Sequence, residues 1–432
     1  MPFETFKGAP KRIAVIGAGI SGMGAAHMLS RHNNVVLFEA ENRLGGHART
    51  VIAGKNGDQP VDTGFIVFNN VNYPNLLKLF DELEVPIAKS DMSFAASING
   101  GQLEYGLHSV GALFAQKKNL ANPKFLRMIR DVLHFNKRGF EVADDPEMTI
   151  GQFLEKLGTG EWFRDYYILP LSGAIWSTPV EKILDFPAQA MIQFFKNHAL
   201  MGITGQHQWY TVEGGSIEYV NRLGNAMDRE GVEMRLGAPI DGVRRVEGGA
   251  MVKTVGAEWE MFDEVVFATH SDQALAMMSD ASPAERAALS AIKYQPNTAV
   301  LHADERLMPK RRVCWASWNY VEPQGPKPEK IDLTYWMNCL QPIPEADPMF
   351  VTLNSNSPIR EELIYDQATF AHPVYDVAAQ HGREAIRSMQ GMRSTWFCGA
   401  WMKNGFHEDG LASAVDVVRM MAAQNTPEVV AA

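Results

Sequence analysis

The sequence predicts an α/β chain in which a Rossmann-like parallel-sheet domain, assembled from separated stretches, carries an inserted mixed α+β domain. Three observations carry this expectation. A glycine-punctuated strand–helix–strand pattern opens the chain, and short apolar strand patterns return at residues 263–268 and 395–399. Between them the pattern turns first helical and then rich in aromatic strands.

Composition narrows the classes further. The 432 residues exceed the usual size of one domain, and 46% hydrophobic with 21% charged residues excludes a disordered chain. A formal net charge of -10 gives no general attraction to nucleic acid, so no such partner is expected. Cys314, Cys339 and Cys398 stand far apart without a CxxC pair, and the histidines show no ligand spacing; neither a disulfide framework nor a metal site is expected. The opening MPFETFKGAP has no apolar signal core, and no run approaches the roughly 20 apolar residues of a membrane span. The expected location is cytoplasmic, with peripheral attachment at an inner membrane surface left open.

In the first unit, residues 12–16 form a strand, 20–30 a helix and VVLFE from Val35 a second strand. Gly17 permits the tight turn, Gly19 admits a pyrophosphate, and Gly22 lets helix and strand pack closely. Ile20 and Ser21 open the helix, where free backbone N–H groups meet phosphate. Glu39, 22 residues after Gly17 and followed by Ala40, is placed to accept the hydroxyls of an adenosine ribose.

The run EAENRLGGHART, with Glu39, Arg43, Gly45 and Gly46 spaced as ExxxRxGG, resembles the extension found in the FAD-binding amine oxidase and carotenoid desaturase superfamily. His47 stands where a second arginine is common. The resemblance implies an amine-oxidase-like fold and FAD as cofactor. It assigns further cofactor contacts to Thr63, Gly64 and Phe65 after Asp62, to the backbone of Val243, and to Gly399, Gly405, Phe406, His407, Gly410 and Leu411. Ala400 departs from the acid usual after the first of these glycines, leaving Glu408 or Asp409 as replacements. Within the superfamily, HEDG and TFAHPVY look most like bacterial predicted NAD/FAD-binding proteins associated with cyclopropane or branched fatty acid synthesis. The lysine usual in amine oxidases is absent from LHADE, which offers His302, Ala303 and Asp304.

These motifs divide the chain into FAD-binding stretches at 1–68, 205–285 and 390–425, a helical cap at 69–204, a mixed β substrate region at 286–389 and a flexible tail at 426–432. In the cap, YPNLLKLFDEL and PKFLRMIRDVLHFNKRGF read as amphipathic helices. Residues 107–140 hold seven Lys or Arg and one Asp, +6 in a chain of -10, which suits either a solvated helix face or an anionic membrane surface. VCWASWNY, IDLTYWMNCLQ and MFVTLNS read as neighbouring strands that turn some of Trp315, Trp318, Tyr320, Tyr335 and Met337 toward a ligand or the core. Phe194, Phe195 and Met201 are expected on a helix near the entrance.

The resulting expectation is an FAD-dependent oxidoreductase that desaturates unsaturated or methyl-branched acyl chains on phospholipid, by hydride transfer to flavin N5. His372 and Tyr375 are candidates for substrate orientation or proton transfer, with hydrogen-bonded fold residues as the alternative, and His407 is a candidate for polarising the flavin. An amine oxidase is the alternative enzyme, and a non-enzymatic flavin-containing assembly partner the third reading. FAD attachment is expected to be non-covalent. The electron acceptor, dioxygen among the candidates, and the oligomeric state stay open.

Overall fold

The computed structural model describes residues 9–202, 207–325 and 331–424; the expected tail and the boundary at 204/205 lie outside the described residues. The base of the molecule is a five-stranded parallel sheet in the order Glu233–Arg235, Asn34–Phe38, Arg12–Ile16, Glu264–Phe267, Thr395–Phe397. Side chains alternate along a strand, so Ile13 and Val15 pack under helices Ile20–Ser30, Ile217–Arg229 and His407–Gln424. Ala14 and Ile16 face the other way, against Val243, Val252 and Phe262 of a three-stranded antiparallel sheet. Burial on both faces explains why the inner strands read as continuous apolar runs. Gly24 brings the first and last helices close: a Cβ there would come within 2.5 Å of the Leu411 side chain.

The second unit is a seven-stranded sheet in the order Ile364–Val374, Lys293–His302, Phe350–Leu353, Leu333–Trp336, Trp318–Val321, Phe94–Ile98, Leu103–Gly106. All neighbours are antiparallel except Trp318–Val321 with Phe94–Ile98, the parallel seam where the two inserted regions join. Helices Pro123–Val142, Ile150–Leu157 and Ala188–Asn197 contribute buried aromatic and aliphatic side chains to the core that includes this sheet.

A further helical run, Glu161–Trp176, widens to a π-turn at Arg164–Ile168. Pro170 explains it, because proline has no N–H to donate and its ring crowds the carbonyl four residues back. That carbonyl belongs to Tyr166, and the buried Tyr105 hydroxyl donates to it instead.

The aromatic strands differ from expectation in one respect. Arg312–Cys314 is a 3₁₀ turn, so only the WNY part of VCWASWNY is strand, which continues to Val321. Trp315 packs edge-on to Trp336, Met337 begins a short helix, and Tyr320 is buried in the core. Trp318 and Tyr335, opposite each other in register, are the members of the set that reach the cavity described next.

Candidate cofactor and substrate site

A cavity of about 1150 Å³ runs from the carboxyl edge of the parallel sheet to the seven-stranded sheet. That exceeds the upper range of a pocket for one drug-sized ligand and leaves room for a cofactor and a substrate together. Its first end is built by the glycine turn. Gly17 has φ +102° and donates to the Phe38 carbonyl at 2.8 Å. A Cβ at Gly22 would fall 1.7 Å from the Gly17 carbonyl, whereas one at Gly19 would meet nothing within 4 Å. Gly19 therefore leaves open space where Gly22 allows contact. Helix Ile20–Ser30 has neither a side-chain cap nor an acid in its first turn, so its leading N–H groups are left for an anion.

Glu39 ends its strand on the cavity wall. Its carboxylate accepts from the N–H of Ala18 at 2.7 Å and of Glu41 at 2.9 Å, one bond per oxygen, with lone pairs left for a ribose diol. Arg43 donates to the carbonyls of Gly46 at 2.8 Å and Ala48 at 3.2 Å and pairs with Glu41. It thereby fixes the loop in which Gly45 donates to the Ala18 carbonyl and Gly46, at φ +56°, passes Gly19. An uncapped helix start, an open glycine and an anchored ribose acceptor in one elongated cavity fit FAD.

The next segment turns inward by a close approach: a Cβ at Gly64 would lie 1.9 Å from the His47 carbonyl, which accepts from Phe65 N–H at 3.0 Å. Thr63 donates to the Arg49 carbonyl. Asp62 is buried off the cavity wall and accepts from Thr50, Ser216 and Gln341, tying the hairpin to the start of helix Ile217–Arg229; burial raises it to about 6.

Phe65 stacks on His407 with centroids 3.9 Å apart, and His407 Nε2 lies 2.6 Å from the Tyr219 hydroxyl. Phe406 stacks on Phe194 at 4.7 Å. His372 takes a hydrogen bond at Nδ1 from the Asn297 amide at 2.9 Å, an amide that also donates to Ser177 O; this makes Nε2 the protonated nitrogen. His47 lies between His270 and His372, at 5.6 and 5.8 Å. Burial depresses His47 and holds His270, His372 and His407 at about 3, so the histidines around the cavity are neutral. Tyr375 is buried with its hydroxyl unpartnered among the described residues, under the Arg383 guanidinium.

Most of the residues expected from sequence meet on this wall, from Gly17, Ile20, Ser21 and Ala40 to Gly399, Gly405, Phe406 and His407. Four do not. Gly22, Gly410 and Leu411 serve helix packing. Val243 is buried in the small antiparallel sheet, where its carbonyl accepts from Ser279; Ala238, Pro239 and Ile240 line the cavity instead. Glu408 and Asp409 do not replace the missing acid at Ala400. Glu408 accepts from the N–H groups of Asn75 and Leu76 at the start of helix Pro74–Glu82, and Asp409 from those of Asn404 and Phe406. His302 bonds Thr352, and Asp304 pairs with Arg306 and Arg360, all away from the cavity. Phe194, Phe195 and Met201 also lie off the wall, Phe194 stacking on Phe406. The cavity adds Trp176 and Tyr294, which no local motif marks, together with Trp209 and with Phe370 of TFAHPVY. No cysteine lines it, and Cys398 is buried with its thiol raised to about 12, so no thiol is in place for a thioether.

Charge divides the cavity. Glu39, Glu41, Arg43 and Arg49 line the cofactor half, and Arg49 is paired with Asp366. The far half, walled by Trp176, Trp318, Tyr335, Phe370 and Phe406, presents neither carboxylate nor lysine among the described residues.

Residues 20–401 match the model of the flavin containing amine oxidoreductases. The chain belongs to that family. As a flavin containing amine oxidoreductase it is an FAD-dependent enzyme of the amine-oxidase superfamily. It is 30% identical over 165 residues to mitochondrial protoporphyrinogen oxidase of Nicotiana tabacum, a match covering 37% of this chain and 31% of that relative. The matched stretch thus spans less than a third of the curated relative. In fold it is similar to a CLA-producing fatty acid isomerase from P. acnes (TM-score 0.67, 16% identity, covering 96% and 99% of the two chains). It is equally similar to cyclohexylamine oxidase from Brevibacterium oxydans IH-35A (TM-score 0.66, 15%, 96% and 99%). At such identities the likeness is one of fold alone.

These matches overturn the expected desaturation of phospholipid-borne acyl chains. The family is one of amine oxidoreductases, and the curated relatives include protoporphyrinogen oxidases. None of these ties the chain to cyclopropane or branched fatty acid synthesis.

Proposed function

We propose that the protein oxidises a hydrophobic, uncharged amine at a carbon–hydrogen bond next to nitrogen. The observation that carries this reading is the far half of the cavity, aromatic and without a carboxylate or lysine among the described residues. Burying an ammonium there without a partner costs several kcal/mol, so the amine binds as the free base with its lone pair available. When bound, FAD supplies the acceptor for an electron pair. The Trp, Tyr and Phe walls exclude water and orient the apolar substituents. His372, with Nδ1 occupied by Asn297, offers Nε2–H on the cavity wall as a donor for a polar substituent other than the reacting nitrogen. With FAD bound, the α hydrogen would leave with both electrons of its C–H bond, as hydride to the flavin, while the nitrogen lone pair closes a C=N bond; hydrolysis after release gives a carbonyl compound and ammonia or an amine.

The lack of a carboxylate in this half among the described residues speaks against a diamine whose distal ammonium needs a counter-charge. The test is anaerobic mixing of the FAD-loaded protein with apolar primary, secondary and tertiary monoamines and with a short diamine, followed near roughly 450 nm. Bleaching by the monoamines, at least about tenfold faster than by the diamine, is expected. No bleaching by any amine overturns the proposal. The identity to protoporphyrinogen oxidase favours a second reading, porphyrinogen oxidation, which porphyrin fluorescence in the same mixtures would reveal.

A further inference from the structure

We propose that helix Pro123–Val142 and the segment leading into it dock the protein on an anionic lipid surface. The helix buries Phe125, Met128 and Phe135 against the core, which fixes the opposite face toward solvent. That face is not uniformly polar. Leu126, Leu133 and Phe140 are 43%, 47% and 43% exposed, and recur every seven residues. Arg130 and Lys137 stand among them; at 3.6 residues per turn all five fall within an arc of about 80°. The preceding segment adds Leu107, Val110 and Leu120, exposed at 41%, 76% and 57%. A third of the large hydrophobic side chains exposed among the described residues therefore belong to residues 107–140, where single scattered ones are the ordinary case.

Charge selects the occupant. The same 34 residues carry seven cations and one Asp in a protein of net charge -10, and all seven cations are exposed. Arg127 and Arg130 share Asp131, and Arg138 pairs with Glu141, but among the described residues no ion pair holds Lys117, Lys118, Lys124 or Lys137. Apolar side chains with Arg130 and Lys137 on one helix face, and Lys117, Lys118 and Lys124 at and before its start, match the interface of a bilayer with anionic head groups, where the apolar groups enter the acyl boundary and the cations stay at head-group level. A protein groove would need acids interleaved with apolar pockets at the same pitch. No helix among the described residues is long and apolar enough to cross a membrane, so the contact is superficial.

The test uses the FAD-loaded protein and sedimentation with vesicles of phosphatidylcholine alone or with about one third phosphatidylglycerol. Binding to the anionic vesicles should exceed binding to the neutral ones and weaken with salt. Each surface cation strengthens such binding about fivefold, so R130Q/K137Q should lower it about 30-fold. L126S/L133S/F140S should abolish the part that survives high salt. These side chains are exposed, so FAD content and thermal unfolding should match the parent; a variant that fails this check is replaced by Lys117→Gln with Lys124→Gln. Equal binding of parent and charge variant, or none to anionic vesicles at low salt, overturns the proposal. Concentration-dependent self-association without vesicle binding would overturn it in favour of a second copy as the occupant.

Discussion

Glu39 holds two jobs in one carboxylate, and its removal should show both. Glu39→Ala frees the N–H groups of Ala18 and Glu41 and deletes the ribose acceptor. A loss of about 1–3 kcal/mol, roughly 5- to 150-fold in FAD affinity, is expected from titration of the apoprotein. His407 poses the opposite problem. His407→Phe keeps a ring against Phe65 but leaves the buried Tyr219 hydroxyl without its partner, at about 1–3 kcal/mol in urea unfolding; adding Tyr219→Phe should recover part of that loss. At this scale the sequence was most readable where the requirement is local. Gly17, Gly22 and Glu39 declare themselves because a turn, a helix contact and a strand end demand those residue types at that spacing. Val243 was misplaced because Ile240, three residues earlier in the same strand, meets the cavity, and only strand placement decides between them. Asn297 gave no signal, being one of several polar residues in KYQPNTAVLH, and nothing nearby in sequence announces His372 as its partner.

Among the elements, the Glu161–Trp176 run shows a local rule with a distant remedy. Pro170 leaves the Tyr166 carbonyl without its helical donor, and the hydroxyl that answers it is 61 residues away in sequence. Tyr105→Phe should cost about 1–3 kcal/mol in urea unfolding, because a buried carbonyl would lose its donor. A variant as stable as the parent would show that the wide turn satisfies itself. The π-turn was not readable from sequence, since a proline inside a helical pattern signals a break as readily as a widened turn. The aromatic strands were legible as strands and not as one surface. Trp318 and Tyr335 face the cavity, while Trp315 and Met337 sit outside the strands, where alternation has no meaning.

For the molecule as a whole, burial of neutral histidines sets the response to acid. His270, His372 and His407 are held at about 3, and His198 and His302 at about 4, all by burial. Free histidine titrates near 6.5, so below that pH the unfolded chain takes up protons that the folded chain refuses, and stability is lost. Asp62, Asp332 and Asp409, raised to about 6 by burial, act in the opposite sense between about 6 and 4. Five groups against three leave a net loss, so the melting temperature of the FAD-loaded protein should fall from pH 6.5 to 4. A melting temperature that rises over that interval would contradict the neutral assignment.

The parallel seam between Trp318–Val321 and Phe94–Ile98, with Arg12–Ile16 paired to Glu264–Phe267, has a consequence for the order of events on the ribosome. At about 5–20 residues per second, the first strand waits on the order of tens of seconds for a neighbour some 250 residues downstream. Phe94–Ile98, paired early with Leu103–Gly106, waits almost as long for its parallel partner. Throughout that interval two strand edges lie open to wrong partners, and Gly405, Phe406 and His407 have not yet been made. Nascent chains of this protein should therefore depend on chaperones until the last strand emerges, and no amino-terminal fragment ending before it should retain the cofactor.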